Sequence, residues 1–204
     1  MVSRQKGNTR EAELIEATLA CIAREGMRKV TVRKIAEYAG VTNGLIRFYF
    51  SNKAEIIRAA YAKLLEETFF HTSSAIDDMD DVPAAERLRA YIVANMSPPV
   101  VSRDSLLLWA NFLPLTHDDP EMANIRRHGY LETTGRFVPL IADAIRADGR
   151  EITDAETRRR AIKINALVDG LWLEGCLSPE DLKPAELQKI ALSGASSLLG
   201  VDLT

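Results

Sequence analysis

The sequence predicts an all-α fold, with a small three-helix unit at the N-terminus followed by a larger helical bundle. Apolar residues recur at intervals of three and four along most of its 204 residues, and nowhere do they alternate with polar ones as a half-buried strand requires. Prolines and glycines mostly fall between these runs, where they stop one helix and start the next. With 47% apolar residues, the chain can bury a sizeable core as one two-part unit or two small domains. No segment is long and apolar enough to span a bilayer. The opening MVSRQKGNTR is polar and basic with no apolar run behind it, so no secretory signal is expected and the chain is read as cytoplasmic.

The first helix is predicted over about Thr9 to Glu25, with Leu14, Ile15, Thr18, Leu19 and Ile22 on one face and Gly26 beyond its end. Arg4, Lys6 and Arg10 precede it or lie in its first turn. They suit either an arm laid along a nucleic-acid backbone or minor groove, or an untethered tail. Thr31 is an N-cap for a second, short helix whose Val32, Ile35, Ala36 and Ala39 face a core, and Gly40 stops it. Val41 wedges the turn, and Thr42 opens a third helix.

This stretch, Val30 to Ile57, reads as a helix-turn-helix whose second helix lies against DNA. Thr42, Asn43 and Gly44 are short enough for the backbone to approach a groove while hydroxyl and amide groups meet phosphates or base edges. Leu45, Ile46 and Phe50 pack inward, which leaves Arg47 and Phe48 to reach outward. Thr31, Arg33, Tyr49 and Lys53 are the phosphate candidates, Lys53 because it sits in the first turn of the next helix, where the dipole favours an anion.

Charge follows the same division. The net charge is −3, but residues 1–63 hold 12 Lys and Arg against 6 Asp and Glu, leaving 14 against 23 in the rest. A basic third supplies sequence-independent attraction to phosphates, and an acidic remainder keeps the other surface off the duplex. An uneven solvated surface would give the same totals; their coincidence with the helix-turn-helix favours DNA.

From Lys53 a longer helix continues through Ile56, Ile57, Ala60, Leu64, Leu65 and Thr68 to about Phe70 without proline or glycine, a lever from head to body. TSSAIDDMDDVP, residues 72–83, then reads as a linker. Its four aspartates lack the alternating ligand spacing and glycine of a calcium loop. Further helices are predicted at about Ala84 to Met96, Ser102 to Leu113, Glu121 to Ala147 (with an interruption expected near Gly129, Gly135 or Pro139), Asp154 to Leu177 and Pro184 to Leu199. Cys21 and Cys176 fall inside helical patterns, far apart and without metal-ligand spacing, and read as buried thiols. The division expected is residues 1–52 for DNA and 53–204 for ligand binding and dimerisation.

The run T-V-R-x-I-A-x-x-A-G-V-T-x-G-x-I-x-x-Y-F-x-x-K-x-x-I resembles the DNA-binding domain of the tetracycline-repressor (TetR) family, through Thr31, Ile35, Ala36, Gly40, Val41, Gly44, Tyr49, Phe50 and Lys53. The resemblance implies a homodimeric repressor of double-stranded, palindromic operators, released by a small-molecule effector and without a cofactor. Many members carry tyrosine where this chain has Arg47, and histidine or tyrosine where it has Phe48, so base contacts there do not carry over. The family pairs its last two helices in a four-helix interface. Here Ala166, Gly170 and Leu173 on one helix, and Leu187, Ile190, Ala191, Gly194 and Leu198 on the other, are the candidates, small residues allowing close approach. Ordinary packing within the chain would use the same residues.

LWANF at 108–112, ALVDGLWLEG at 166–175 and NGLI at 43–46 resemble the choline-responsive BetI subgroup. A trimethylammonium group suits an aromatic cage beside a carboxylate, and Trp109, Phe112, Tyr130, Asp169, Trp172 and Glu174 supply those residue types. Tryptophans on amphipathic helices equally serve as core. The three histidines are dispersed, with no phosphate-binding glycine loop or nucleophile motif, which argues against an enzyme. A ligand-independent activator or architectural DNA-binding protein is the other alternative.

Overall fold

A computed structural model describes residues 2–204, with side chains from Thr9 onward; Arg4 and Lys6 lie outside the described side chains. The chain is helical, as expected. Ten α-helices are described: α1 Val2–Glu25, α2 Val32–Ala39, α3 Asn43–Tyr49, α4 Lys53–Ser74, α5 Ala84–Asn95, α6 Arg103–Phe112, α7 Leu115–Asp118, α8 Pro120–Ala147, α9 Asp154–Leu177 and α10 Pro184–Leu199. A 3-10 turn, Met27–Lys29, joins α1 to α2.

Most boundaries fall where local chemistry puts them. Thr31 Oγ1 accepts from the Lys34 amide, Gly40 ends α2 at φ 64°, and Gly200 ends α10 at φ 68°. Thr153 caps α9 by accepting from the Glu156 amide. Two expectations give way. The backbone of α1 is helical from Val2, and α8 runs unbroken through Pro139. The bond Pro139 cannot donate would go to Gly135. Both residues are on the exposed side, where water can serve the carbonyl.

Packing divides the chain into two compact units, and neither is a single stretch of sequence. The first comprises Met1–Glu66 with Leu107–Arg127, and the second comprises Glu67–Leu106 with His128–Thr204. The sequence-based division falls at residue 52; the packing boundary falls inside α4.

In the first unit, Leu14, Ile22, Ile35, Ile46, Ile56 and Tyr61 share a core with Leu108, Phe112 and Met122. The Phe112 ring stacks on Tyr61 at 4.9 Å, and Trp109 meets Tyr61 edge-on at 6.2 Å. Polar contacts pin the same segment. Asn111 Oδ1 accepts the Met27 amide at 2.7 Å. Arg58 donates from Nε and Nη2 to the two carboxylate oxygens of Asp119 at 2.9 and 3.0 Å. Asp119 Oδ1 also accepts the Glu121 and Met122 amides that open α8. Partial burial pushes the Asp119 carboxyl up, but Arg58 and those amides outweigh it, and the group titrates below its ordinary range.

The second unit packs Leu88, Tyr91 and Ile92 of α5 with Phe137, Ile141 and Ile145 of α8, Ala161, Ile164 and Val168 of α9, and Leu187, Ala191 and Leu199 of α10. The C-terminal carbonyls of α10 are met by cations. Arg160 Nη1 donates to the Leu199 carbonyl at 2.9 Å, and Arg150 Nη2 to those of Leu199 and Gly200 at 3.1 Å. Among the described residues, no helix is long and apolar enough to cross a membrane.

Candidate nucleic-acid interface

The first unit builds α3 from the inside out. Ile46 and Phe50 are buried in its core and Leu45 is half-buried, which fixes the rotation of α3. Thr42, Asn43, Gly44, Arg47 and Phe48 are thereby all exposed; on α3 itself, residues 43, 44, 47 and 48 form one strip a turn apart. Phe48 is 80% exposed, with its ring edge-on to Tyr49 at 5.2 Å. A phenyl group left in water on a seven-residue helix is costly unless it meets an apolar surface, and thymine methyl groups in a major groove provide one.

Thr42 occupies the N-cap position with extended backbone, but its side chain makes no capping hydrogen bond. It is a cap by position only, so its hydroxyl is not committed to the helix. Thr31 differs. Its oxygen accepts from Lys34 at 3.1 Å, leaving the hydroxyl hydrogen to donate to a phosphate.

Arg33 is exposed and rests against Glu37 at 3.2 Å, an exposed pair that phosphate can displace. Tyr49 and Lys53 are half-buried at the edge of the strip. Lys53 begins α4, whose cap is formed by Asn52 Oδ1 accepting from the Glu55 amide and Glu55 accepting from the Ser51 amide. Arg10 is exposed and pairs with Glu13.

Sequence reasoning missed the clamp behind the strip. Glu25, at the end of α1, accepts from Tyr38 at 3.2 Å and pairs with Lys34 at 3.4 Å, tying α1 to α2. Partial burial opposes ionisation of Glu25, but Lys34 and Tyr38 prevail and its carboxyl titrates low. The signal was weak, because the partners lie nine and thirteen residues away, outside any helical spacing.

Residues 14–60 match the family model of bacterial regulatory proteins of the tetR family. Residues 84–200, more than half of the chain, match the model described as the C-terminal domain of BetI-type transcriptional repressors. The chain belongs to the TetR family, BetI type. It is 30% identical to the HTH-type transcriptional regulator BetI of Proteus mirabilis, over 89% of this chain and 87% of that protein. To BetI of Burkholderia mallei it is 29% identical, over 93% of each. A transcriptional-regulator structure from Pseudomonas aeruginosa matches with a TM-score of 0.85 at 30% identity, covering 95% of this chain and 92% of that one. A regulator from Saccharomonospora viridis, solved in complex with choline, shares the fold with a TM-score of 0.74 at 19% identity, covering 90% and 94%. As a TetR-family transcriptional regulator the protein binds DNA, and it is not an enzyme.

The residues expected to hold a ligand are divided between the two units of this BetI-type chain. Trp109 and Phe112 belong to the first, where Phe112 is fully buried against Tyr61. Tyr130, Asp169, Trp172 and Glu174 belong to the second. There Trp172 Nε1 donates to the Val100 carbonyl at 2.8 Å, and Asp169 accepts from Asn165 at 2.9 Å.

The residues expected at a dimer interface also separate. Ala166, Gly170 and Leu173 on α9, and Ile190 and Leu198 on α10, are exposed. Leu187 and Ala191 instead face the core of their own unit with 0% exposure, because α10 is apolar on more than one face. Gly194 backs onto Leu167: a Cβ there would come within 2.9 Å of it. Two residues not foreseen, Ile162 and Leu177, are 51% and 59% exposed. They extend the α9 row to 162, 166, 170, 173 and 177, a single helical stripe.

Proposed function

We propose that the protein is a homodimeric repressor that holds a palindromic double-stranded operator and lets go when a small molecule, choline or a related amine, binds its C-terminal half. In this reading residues 1–52 read DNA, residues 53–204 bind the effector and dimerise, and the protein works in the cytoplasm beside its operator. The observation that carries it is the exposed stripe Ile162, Ala166, Gly170, Leu173 and Leu177. An apolar row along a 24-residue helix is costly in water and suits a second copy of itself. With Ile190 and Leu198 it favours the pairing of α9 and α10 with their symmetry mates, and a two-fold protein reads a two-fold site.

The effector reading draws on the BetI relatives and on the choline complex of the Saccharomonospora regulator. Trp172 and Asp169, three apart on α9, supply an aromatic ring and a carboxylate for a quaternary amine; Trp109, Phe112, Tyr130 and Glu174 remain further candidates.

The test combines sedimentation velocity with a gel-shift titration on the promoter DNA beside the protein's own gene. A dimer at micromolar concentration, one shifted band on a palindrome, weak binding to a half-site and release by choline are expected. A monomer that binds the isolated half-site equally well overturns the reading.

A further inference from the structure

We infer that Asp119 is a positioning residue that locks α8 to α4, so that occupancy of the DNA-binding unit is transmitted into the second unit along α8 as well as along α4. Asp119 stands between two helices. Its amide donates to the Leu115 carbonyl at 3.0 Å and closes α7, and its carbonyl accepts from the Ala123 amide at 3.0 Å and opens α8. Pro120 follows at the first position of α8, where its fixed φ suits the helix and its missing N–H is not needed.

The side chain has four donors. Oδ2 accepts from Arg58 Nε, and Oδ1 accepts from Arg58 Nη2 and from the Glu121 and Met122 amides. An ionised carboxylate offers about four acceptor sites, so this one is fully committed, and the planar fork of a guanidinium meets both oxygens in only one orientation. With side chains 38% and 24% exposed, the pair adds modestly to stability. What it fixes is direction.

Both helices that it joins run on from the first unit into the second. The helix α4 places Ile56, Ile57, Ala60 and Tyr61 in the first core and continues past the boundary at Glu66 to Ser74. The helix α8 places Met122 in the first core and Phe137, Ile141 and Ile145 in the second. It is one unbroken helix of 28 residues, about 42 Å long at 1.5 Å per residue. A helix packed into two cores carries a rotation from one end to the other. Because α4 begins at Lys53, on the edge of the groove-facing strip, a displacement of α4 on DNA passes through Arg58 to the first turn of α8. The latch needs DNA binding and no particular effector.

Hydrogen-exchange mass spectrometry of the full-length protein, with and without a saturating duplex obtained by binding-site selection, tests the latch. In wild type, DNA should protect residues 42–53 and also change exchange rates in residues 128–147 by at least about fivefold, the lower end of ordinary coupling between sites. Asp119→Asn keeps an oxygen to cap α8 but turns an NH2 group towards Arg58, whereas Arg58→Met removes both donors and keeps the apolar stem. In each variant DNA should still protect residues 42–53 and still affect residues 67–74 of α4, while the response of residues 128–147 vanishes. A wild-type response confined to residues up to 127, or one at 128–147 that persists in either variant, overturns the latch. A choline titration keeps the effector reading separate. Where choline binds wild type and both variants alike by calorimetry, it should release DNA from wild type at least about fivefold more readily than from either variant, and equal release from all three also overturns the latch. If choline fails to bind wild type or to release its DNA, the amine effector is rejected and the exchange result alone decides the latch.

Discussion

At the scale of single residues, the proposed DNA-reading role of the exposed strip separates side chains that would position the protein from those that would discriminate. Lys53 sits at the edge of the strip, at the start of α4. Lys53→Ala should therefore weaken binding to specific and random DNA alike and lower the slope of log affinity against log salt by about one ion per head, measured by fluorescence anisotropy over a salt series. Arg47 and Phe48 project from the exposed face of the last turn of α3, so Arg47→Ala should shift the preferred sequence by about 1–3 kcal/mol at one base pair, read by binding-site selection. An unchanged sequence preference would remove Arg47 from base readout. A second residue-scale expectation concerns acid. Because the folded-state pKa of Asp119 is lowered, its contribution is present above the unfolded carboxylate range and disappears as pH falls through the folded value. Urea midpoints of wild type should drop towards those of Asp119→Asn below about pH 4 and exceed them at pH 7.

Helices and turns fail or survive through their ends and faces. Gly40 stops α2 with a positive φ, and a Cβ there would meet nothing within 4 Å. Gly40→Ala should thus cost only the backbone penalty, about 1–2 kcal/mol by denaturant unfolding, whereas Thr31→Ala should cost about 1 kcal/mol through the lost cap and also weaken DNA binding. The two glycines of the last helices should behave oppositely. At Gly170 a Cβ meets nothing in its own chain, while at Gly194 it strikes Leu167. Gly170→Leu should leave the protomer folded by circular dichroism but monomeric in sedimentation; Gly194→Leu should lower the melting temperature as well. A dimeric Gly170→Leu protein would move the interface off α9. These positions also show where a sequence is readable. Caps such as Thr31 and Gly40 are legible because their hydrogen bonds close within four residues. Leu187 and Ala191 are not, because an α10 rich in apolar residues presents several stripes and only the packed partner decides which one is buried.

For the whole molecule, the all-helical class, the helix-turn-helix and the exposure of Thr42, Asn43, Gly44, Arg47 and Phe48 were legible, since a fixed helical period carries Ile46 inward and Arg47 outward together. The reach of the first unit was not. Leu108, Phe112 and Met122 have apolar spacings suited to any core, and nothing local says that theirs is shared with Ile35 and Ile56. The candidate ligand residues came from composition and resemblance, and they fall in different units.

That non-contiguous first unit bears on how the protein is made. Ribosomes deliver the chain from its N-terminus at about 5–20 residues per second, and the core that supports α3 is complete only when Met122 joins Leu14, Ile56 and Tyr61. A nascent chain that has released its helix-turn-helix still waits for some sixty further residues before Asp119 can grip Arg58. Fragments truncated after α4 should accordingly remain protease-sensitive, and premature termination in the cell would yield no competitor for the operator.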